Sequence, residues 1–82
     1  MGVTREKTDM RLYTGEYCGY CRRVSNELER LGLDYEAVNA DADGREEVVR
    51  LSGQRKIPIL AIGDEVLVDS SRIVRELRQR YA

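Results

Sequence analysis

Apolar residues are spaced along this chain in patterns that predict a short strand followed by a helix. Residues 10–14, with the sequence Met-Arg-Leu-Tyr-Thr, predict a buried strand that ends at Gly15. Beyond it, Val24, Leu28 and Leu31 are spaced four and three positions apart among charged residues. That spacing predicts an amphipathic helix with one buried stripe.

The second half of the chain predicts three strands and two helices. An extended stretch at 34–39 precedes the turn and cap residues at 41–44, and the helix that follows ends at Gly53. The run 58–62, the turn Gly63-Asp64 and the run 66–68 predict an antiparallel hairpin. We expect a last helix, with apolar residues every four positions: Ile73, Leu77 and Tyr81.

The order of these elements is β-α-β-α-β-β-α, which indicates the α/β class. A β-α-β start requires a parallel pair of strands with a right-handed crossover, and the hairpin adds two antiparallel strands. We therefore expect one mixed four-stranded sheet flanked by helices. The chain has 82 residues, enough for one hydrophobic core, so we expect a single domain (10–82). Residues 1–9 show no periodicity and predict a flexible N-terminal arm.

Composition argues against several classes of function. The formal net charge is −1, so no excess of positive charge indicates a nucleic acid or membrane partner. The arginines stand at helical spacings among acidic residues, which favours solvated helix faces. No apolar run approaches the ~20 residues of a membrane span, and the first nine residues do not resemble a signal peptide. A cytoplasmic location is the resulting expectation.

Cys18 and Cys21 form a Cys-x-x-Cys motif between the first strand and the first helix, a context typical of redox proteins. The start of a helix offers free N–H groups and the positive end of its dipole, which favour a thiolate at Cys18. That thiolate can attack a disulfide, and the more buried Cys21 can then resolve the mixed disulfide. We expect a nucleophile at Cys18 and a resolving thiol at Cys21.

Two other interpretations of the cysteines are less favoured. A zinc site usually needs four ligands, whereas the chain has two cysteines and no histidine, so we expect no metal site of that kind. A pair of inert buried thiols is the other alternative. The position of Cys18 in a loop beside Gly19 argues for exposure of at least that thiol.

The segment 12–21 closely resembles the active-site strand and loop of glutaredoxins, and the segment 52–58 resembles their second signature. The resemblance covers residues 10–81 and implies a thioredoxin fold. It also implies a cis bond before Pro58, which would face the reactive cysteine while the Ile57 backbone pairs with an extended thiol peptide. Tyr20 would line the thiol groove, and Arg55 would supply positive charge beside it.

The chain departs from the glutaredoxin pattern at two places. Asp69 and Ser70 resemble instead the acidic residue and serine that hold the γ-glutamyl group of glutathione in the N-terminal domain of glutathione transferases. These two residues can equally cap the last helix, and the two roles can coexist. Gly15 stands where many glutaredoxins have a lysine that contacts glutathione. This difference implies a lower affinity for glutathione.

The resemblance implies a monomeric enzyme that reduces protein disulfides or glutathione mixed disulfides. Glutathione or an equivalent thiol would be its co-substrate, and no tightly bound cofactor is required. One alternative is a redoxin reduced by thioredoxin reductase, as in electron donors to ribonucleotide reductase. Another is a dimeric carrier of a [2Fe-2S] cluster held by Cys18 and two glutathione molecules, an alternative motivated by Gly19 in place of proline.

Overall fold

Four strands and three α-helices follow one another in the predicted order, in a computed structural model that describes residues 9–81 apart from the side chains of residues 42 and 43. The predicted N-terminal arm therefore lies outside the described residues, except for Asp9. None of the helices in the described part has the length and apolar character needed to cross a membrane. The elements are β1 (Met10–Thr14), α1 (Gly19–Arg30), β2 (Glu36–Asn39), α2 (Arg45–Ser52), β3 (Ile59–Ile62), β4 (Glu65–Val68) and α3 (Ser70–Tyr81).

The strands form one mixed sheet in the order β2-β1-β3-β4. β1 runs parallel to β2, with Leu12 opposite Ala37, and antiparallel to β3, with Leu12 opposite Leu60. β3 and β4 form the predicted hairpin, and Gly63 in its turn has a φ of 60°, a left-handed conformation that glycine adopts without a steric penalty. The sheet and its helices confirm the predicted thioredoxin fold.

The central strands bury both of their faces because helices cover each side of the sheet. On one side, Leu12 and Leu60 pack into a cluster with residues of α1 and α3. On the other side, Tyr13 and Ile59 pack with Val48 of α2. Alternate residues of a strand point to opposite faces, so adjacent residues of β1 and β3 belong to different clusters. This arrangement explains why the 58–62 run is apolar throughout instead of alternating.

The connection between β2 and α2 differs in detail from the predicted turn. Residues Ala40–Gly44 form one wide, π-helical turn, and its cap is Asn39, which precedes the predicted cap residues. The Asn39 side chain accepts a hydrogen bond from the N–H of Asp41 at 2.8 Å. Because Asn39 is the last residue of β2, its capping contact starts the π-helical turn at the next residue, Ala40, ahead of α2. α2 ends at Gly53, as predicted, with a φ of 76°.

Helices α1 and α3 are joined by a cluster of charged side chains. Glu27 is only 6% exposed, and its carboxylate accepts hydrogen bonds from Arg30 on its own helix and from Arg78 on α3. These two guanidinium groups lower the pKa of Glu27 to about 2. The carboxylate therefore stays ionised beside the core and links the two helices on this side of the sheet.

Candidate functional site

The loop after β1 places the first cysteine at the N-terminus of α1. Cys18 is the N-cap residue, with φ −110° and ψ 106°, and its Sγ accepts a hydrogen bond from the N–H of Cys21 at 3.1 Å. Its carbonyl accepts the N–H of Arg22 at 3.2 Å. The sulfur thus occupies the place that a serine or aspartate oxygen usually takes at a helix start, where it faces N–H groups that lack partners in the helix.

The two thiols differ in their exposure to solvent. Cys18 is partly exposed, whereas Cys21 is 1% exposed, as the sequence predicted for the second thiol. Burial, followed by the hydrogen bond with Cys18, raises the pKa of Cys21 to about 11, although contacts with Thr14 and Gly15 act in the opposite direction. Cys21 is therefore a protonated thiol at neutral pH, positioned behind the sulfur that meets solvent.

A cleft beside the cysteines collects most of the residues predicted to bind a thiol. Its volume is about 520 Å³, and a second hollow of about 440 Å³ around Cys18 shares Tyr20 and Ile57 with it. The Ile57–Pro58 peptide bond is cis, as the resemblance implied. The cleft is lined by Tyr20, Gln54, Lys56, Ile57, Pro58, Val68, Asp69, Ser70 and Ser71. Five of the six predicted thiol-binding residues are among these, and Arg55 is the exception.

Arg55 is exposed and lies outside the cleft. Its backbone carbonyl accepts a hydrogen bond from Nη1 of Arg45 at 2.9 Å, and its side chain does not line the cleft. Lys56 is the cation that does. The sequence indicates positive charge from Arg55 and Lys56 near the cysteine but cannot show which residues of the 52–58 segment line the cleft, because the side that a loop residue faces depends on the tertiary fold.

Asp69 and Ser70 lie at the junction of β4 and α3. Asp69 has a φ of 73°, and its carbonyl accepts the N–H of Ile73 at 2.9 Å, so α3 begins as predicted. Within residues 9–81, however, the Asp69 carboxylate accepts no hydrogen bond, and neither side chain makes the predicted capping contact. The carboxylate is exposed on the wall of the cleft, and Ser70 is buried beside it.

Asp41 completes the wall near Cys18 and was not predicted from the sequence. Its Oδ2 accepts the N–H of Glu16 at 3.0 Å, and its Oδ1 accepts Nη2 of Arg45 at 3.0 Å. A Cβ atom at Gly15 would lie 2.9 Å from both Asp41 Oδ2 and Ile57 Cδ1. The space beside the active-site loop is therefore filled, which explains the glycine where glutaredoxins often have lysine.

Comparison with known families and curated proteins agrees with this geometry. The family model described as "Glutathione S-transferase, N-terminal domain" matches residues 12–82. The chain is 36% identical over 56 residues to a glutaredoxin of Neisseria meningitidis, a match that covers 65% of this chain and 66% of that protein. The match thus spans slightly less than two thirds of this curated relative.

Solved structures with the same fold include two plant glutaredoxins. Reduced glutaredoxin C1 from Populus tremula x tremuloides superimposes with a TM-score of 0.74 and 28% identity, covering 89% of this chain and 66% of that one. The buckwheat glutaredoxin–glutathione complex gives a TM-score of 0.74 with 24% identity, covering 87% and 69%. At this level of identity, the second likeness supports the fold alone.

Proposed function

We propose that this chain, which belongs to the family of glutathione S-transferase N-terminal domains and resembles glutaredoxins, is a thiol-disulfide oxidoreductase. The observation that carries the proposal is the contrast between two thiols at the start of one helix. Cys18 meets solvent and accepts a helix N–H, whereas Cys21 is buried and protonated. Such a pair divides attack and resolution between two sulfur atoms.

In the first step, the Cys18 thiolate attacks one sulfur of a substrate disulfide. A Cys18–substrate disulfide forms, the substrate S–S bond breaks, and the departing thiolate takes a proton from solvent. The N–H of Cys21 donates a hydrogen bond to this attacking sulfur and holds it at the N-terminus of α1. Because Cys21 stays protonated at this stage, Cys18 alone acts as nucleophile.

In the second step, Cys21 loses its proton and attacks Cys18 Sγ. The Cys18–Cys21 disulfide forms, and the substrate leaves as its second thiol, so the protein dithiol has given two electrons to the substrate disulfide. Charge on Cys18 contributes to the high pKa of Cys21, and formation of the mixed disulfide removes that charge. The first step thereby makes the resolving thiol easier to deprotonate.

Glutathione is the thiol that we propose to reduce the protein again, with two molecules consumed and one glutathione disulfide formed. The cleft offers the Asp69 carboxylate for the γ-glutamyl amine and the start of α3 at Ser70 for the γ-glutamyl carboxylate. The Ile57 backbone can pair with the peptide, next to Pro58 and Tyr20. The family model that matches residues 12–82 describes the N-terminal domain of glutathione S-transferases, which supports this assignment.

The roles of the two cysteines are tested by exchanging each for serine. We expect Cys18→Ser to abolish all activity, because it removes the attacking sulfur. Cys21→Ser should still remove glutathione from a glutathionylated peptide, a one-thiol reaction, but should lose protein disulfide reduction. Equal loss in both variants and both assays would contradict the assigned roles.

The electron donor is tested by following NADPH consumption with a glutathionylated peptide. One reaction contains glutathione and glutathione reductase, and the other contains thioredoxin reductase. We expect turnover with glutathione only, and Asp69→Asn should raise the KM for glutathione while leaving the unfolding midpoint unchanged. Turnover with thioredoxin reductase only would instead support a redoxin.

The cluster-carrier alternative has a separate readout. A [2Fe-2S] cluster bridging two chains would give a brown protein with visible absorption and bound iron after anaerobic purification with glutathione. We expect the purified protein to be colourless.

A further inference from the structure

Helices α1 and α3 carry four arginines that have no ion pair among the described residues. These are Arg22, Arg23, Arg72 and Arg75, and all four lie in the first half of their helix, at the end nearest the cysteines. The later arginines of both helices, Arg30, Arg78 and Arg80, are each paired with glutamate.

This concentration of charge is not explained by the fold. Arg72 and Arg75 stand three residues apart on one helix, a spacing at which like charges repel each other. Both are exposed and could be exchanged for polar residues without disturbing the core. The whole chain has a net charge of −1, so the positive charge at this end is a local feature.

A groove between the two helices collects part of this charge. Its volume is about 440 Å³, and it is lined by Arg23, Ser71, Val74, Arg75, Arg78 and Gln79. No carboxylate is among these lining residues, and the nearby Glu27 is neutralised by Arg30 and Arg78. We call this surface the basic groove.

The basic groove continues directly from the catalytic cleft. Ser71 lines both surfaces, and its Oγ accepts a hydrogen bond from Nη1 of Arg23 at 3.4 Å. A polypeptide whose cysteine reaches Cys18 and whose chain follows the cleft therefore arrives at the basic groove.

We propose that the basic groove binds an acidic segment of the protein substrate, close in sequence to the disulfide that is reduced. From Ser71 to Gln79 the groove follows α3 for about 12 Å, at 1.5 Å per residue. An extended peptide rises ~3.3 Å per residue, so about four residues fill it. Aspartate and glutamate in that segment meet the guanidinium groups of Arg23 and Arg75, which no carboxylate of the described chain occupies. The inference rests on the proposed function, since it names the class of protein that this site reduces.

The test uses peptides with one internal disulfide bond that carry four glutamates on one side of a cysteine, paired with peptides of the same sequence containing glutamine. We expect kcat/KM for an acidic peptide to exceed that of its glutamine partner about fivefold, the effect of two exposed ion pairs. High salt should remove the difference. The double variant Arg23→Gln/Arg75→Gln should lose it while reducing the glutamine peptides normally. Arg72→Gln, which removes a charge on the same helix outside the groove, is the matched control and should keep it.

Equal kcat/KM for acidic and glutamine peptides, with the acidic segment on either side of the cysteine, would overturn the inference and leave the proposed function intact. If no peptide is reduced, the proposed function fails, and fluorescence anisotropy with a cysteine-free acidic peptide decides the inference separately. Binding that is lost in Arg23→Gln/Arg75→Gln supports it, and absence of binding overturns it. Tighter binding of a single-stranded oligonucleotide of equal charge would also overturn the assignment to a protein.

Discussion

A methyl group at position 15 tests whether Asp41 holds the active-site loop in place. In Gly15→Ala the new Cβ lies 2.9 Å from Asp41 Oδ2 and Ile57 Cδ1, closer than Cβ atoms approach other atoms in proteins, so both side chains must shift, and the shift of Asp41 releases the Glu16 N–H. A hydrogen bond to a charged acceptor contributes about 1.5–3 kcal/mol. The Asp41 side chain is 47% exposed, so water replaces part of the bond, and we expect a loss of about 1 kcal/mol.

This loss of stability is opposed by a second effect of alanine, which lowers the conformational entropy of the unfolded chain. The φ of Gly15 is outside the left-handed region, and at such positions alanine stabilises by about 0.4–1 kcal/mol relative to glycine. In wild type the two effects nearly cancel. In an Asp41→Ala background the cost at Asp41 is absent, whereas the contact with Ile57 Cδ1 opposes the gain in both backgrounds, so the same substitution should be more favourable there than in wild type. The coupling free energy between positions 15 and 41 is therefore about 1 kcal/mol.

Urea unfolding of the four proteins of this cycle, in reducing buffer, measures that coupling. Thermal unfolding gives a second measure, at about 4–8 °C per kcal/mol for a domain of this size. Additive effects, within about 0.3–0.5 kcal/mol, would refute the contact between Asp41 and the loop as an energetic unit. Asp64→Ala in an exposed turn is the matched control background, in which Gly15→Ala should behave as in wild type.

The buried thiol, the helix pair and the core each give one further prediction. Because the pKa of Cys21 is about 11, iodoacetamide should label one thiol fast and the second slowly until the pH approaches 11; two fast rates at neutral pH would contradict it. Glu27→Gln should lower stability at neutral pH, and the difference in urea midpoint should shrink as pH falls from 4.5 towards 2. Over that range Glu27 is protonated in the unfolded chain but remains ionised in the folded protein. A difference in urea midpoint that stays constant with pH would argue against the pairing of Glu27 with Arg30 and Arg78. Leu60→Ala should cost about 2–5 kcal/mol of unfolding free energy, measured by circular dichroism.

Most of the fold could be predicted because its signals are local. The spacing of Val24 and Leu28 sets the buried face of α1, and Gly53 marks the end of α2. The Cys-x-x-Cys motif lies at a strand–helix junction, so the two thiols could be assigned different environments from spacing alone. Each of these inferences needs only residues within a few positions of one another.

Contacts between distant residues could not be predicted in this way. The bond between Glu16 and Asp41 joins residues 25 positions apart, and the pair of Glu27 and Arg78 joins residues 51 apart. Sequence spacing treated the arginines of α1 and α3 as ordinary solvated faces, since each helix also contains acids. Only the packing of the two helices separates the paired arginines from those that line the basic groove.

The backbone at Asp69 helps to separate the two roles that the sequence left open for this residue. An ordinary N-cap residue is in the β region, with its side chain directed to the free N–H groups of the helix. Asp69 instead has a φ of 73°, a conformation that costs a residue with a Cβ about 1–2 kcal/mol and that glycine adopts freely. Within the described residues its carboxylate forms no hydrogen bond, and it lines the cleft. Capping therefore does not account for an aspartate here, whereas the proposed contact with the amine of a γ-glutamyl group would.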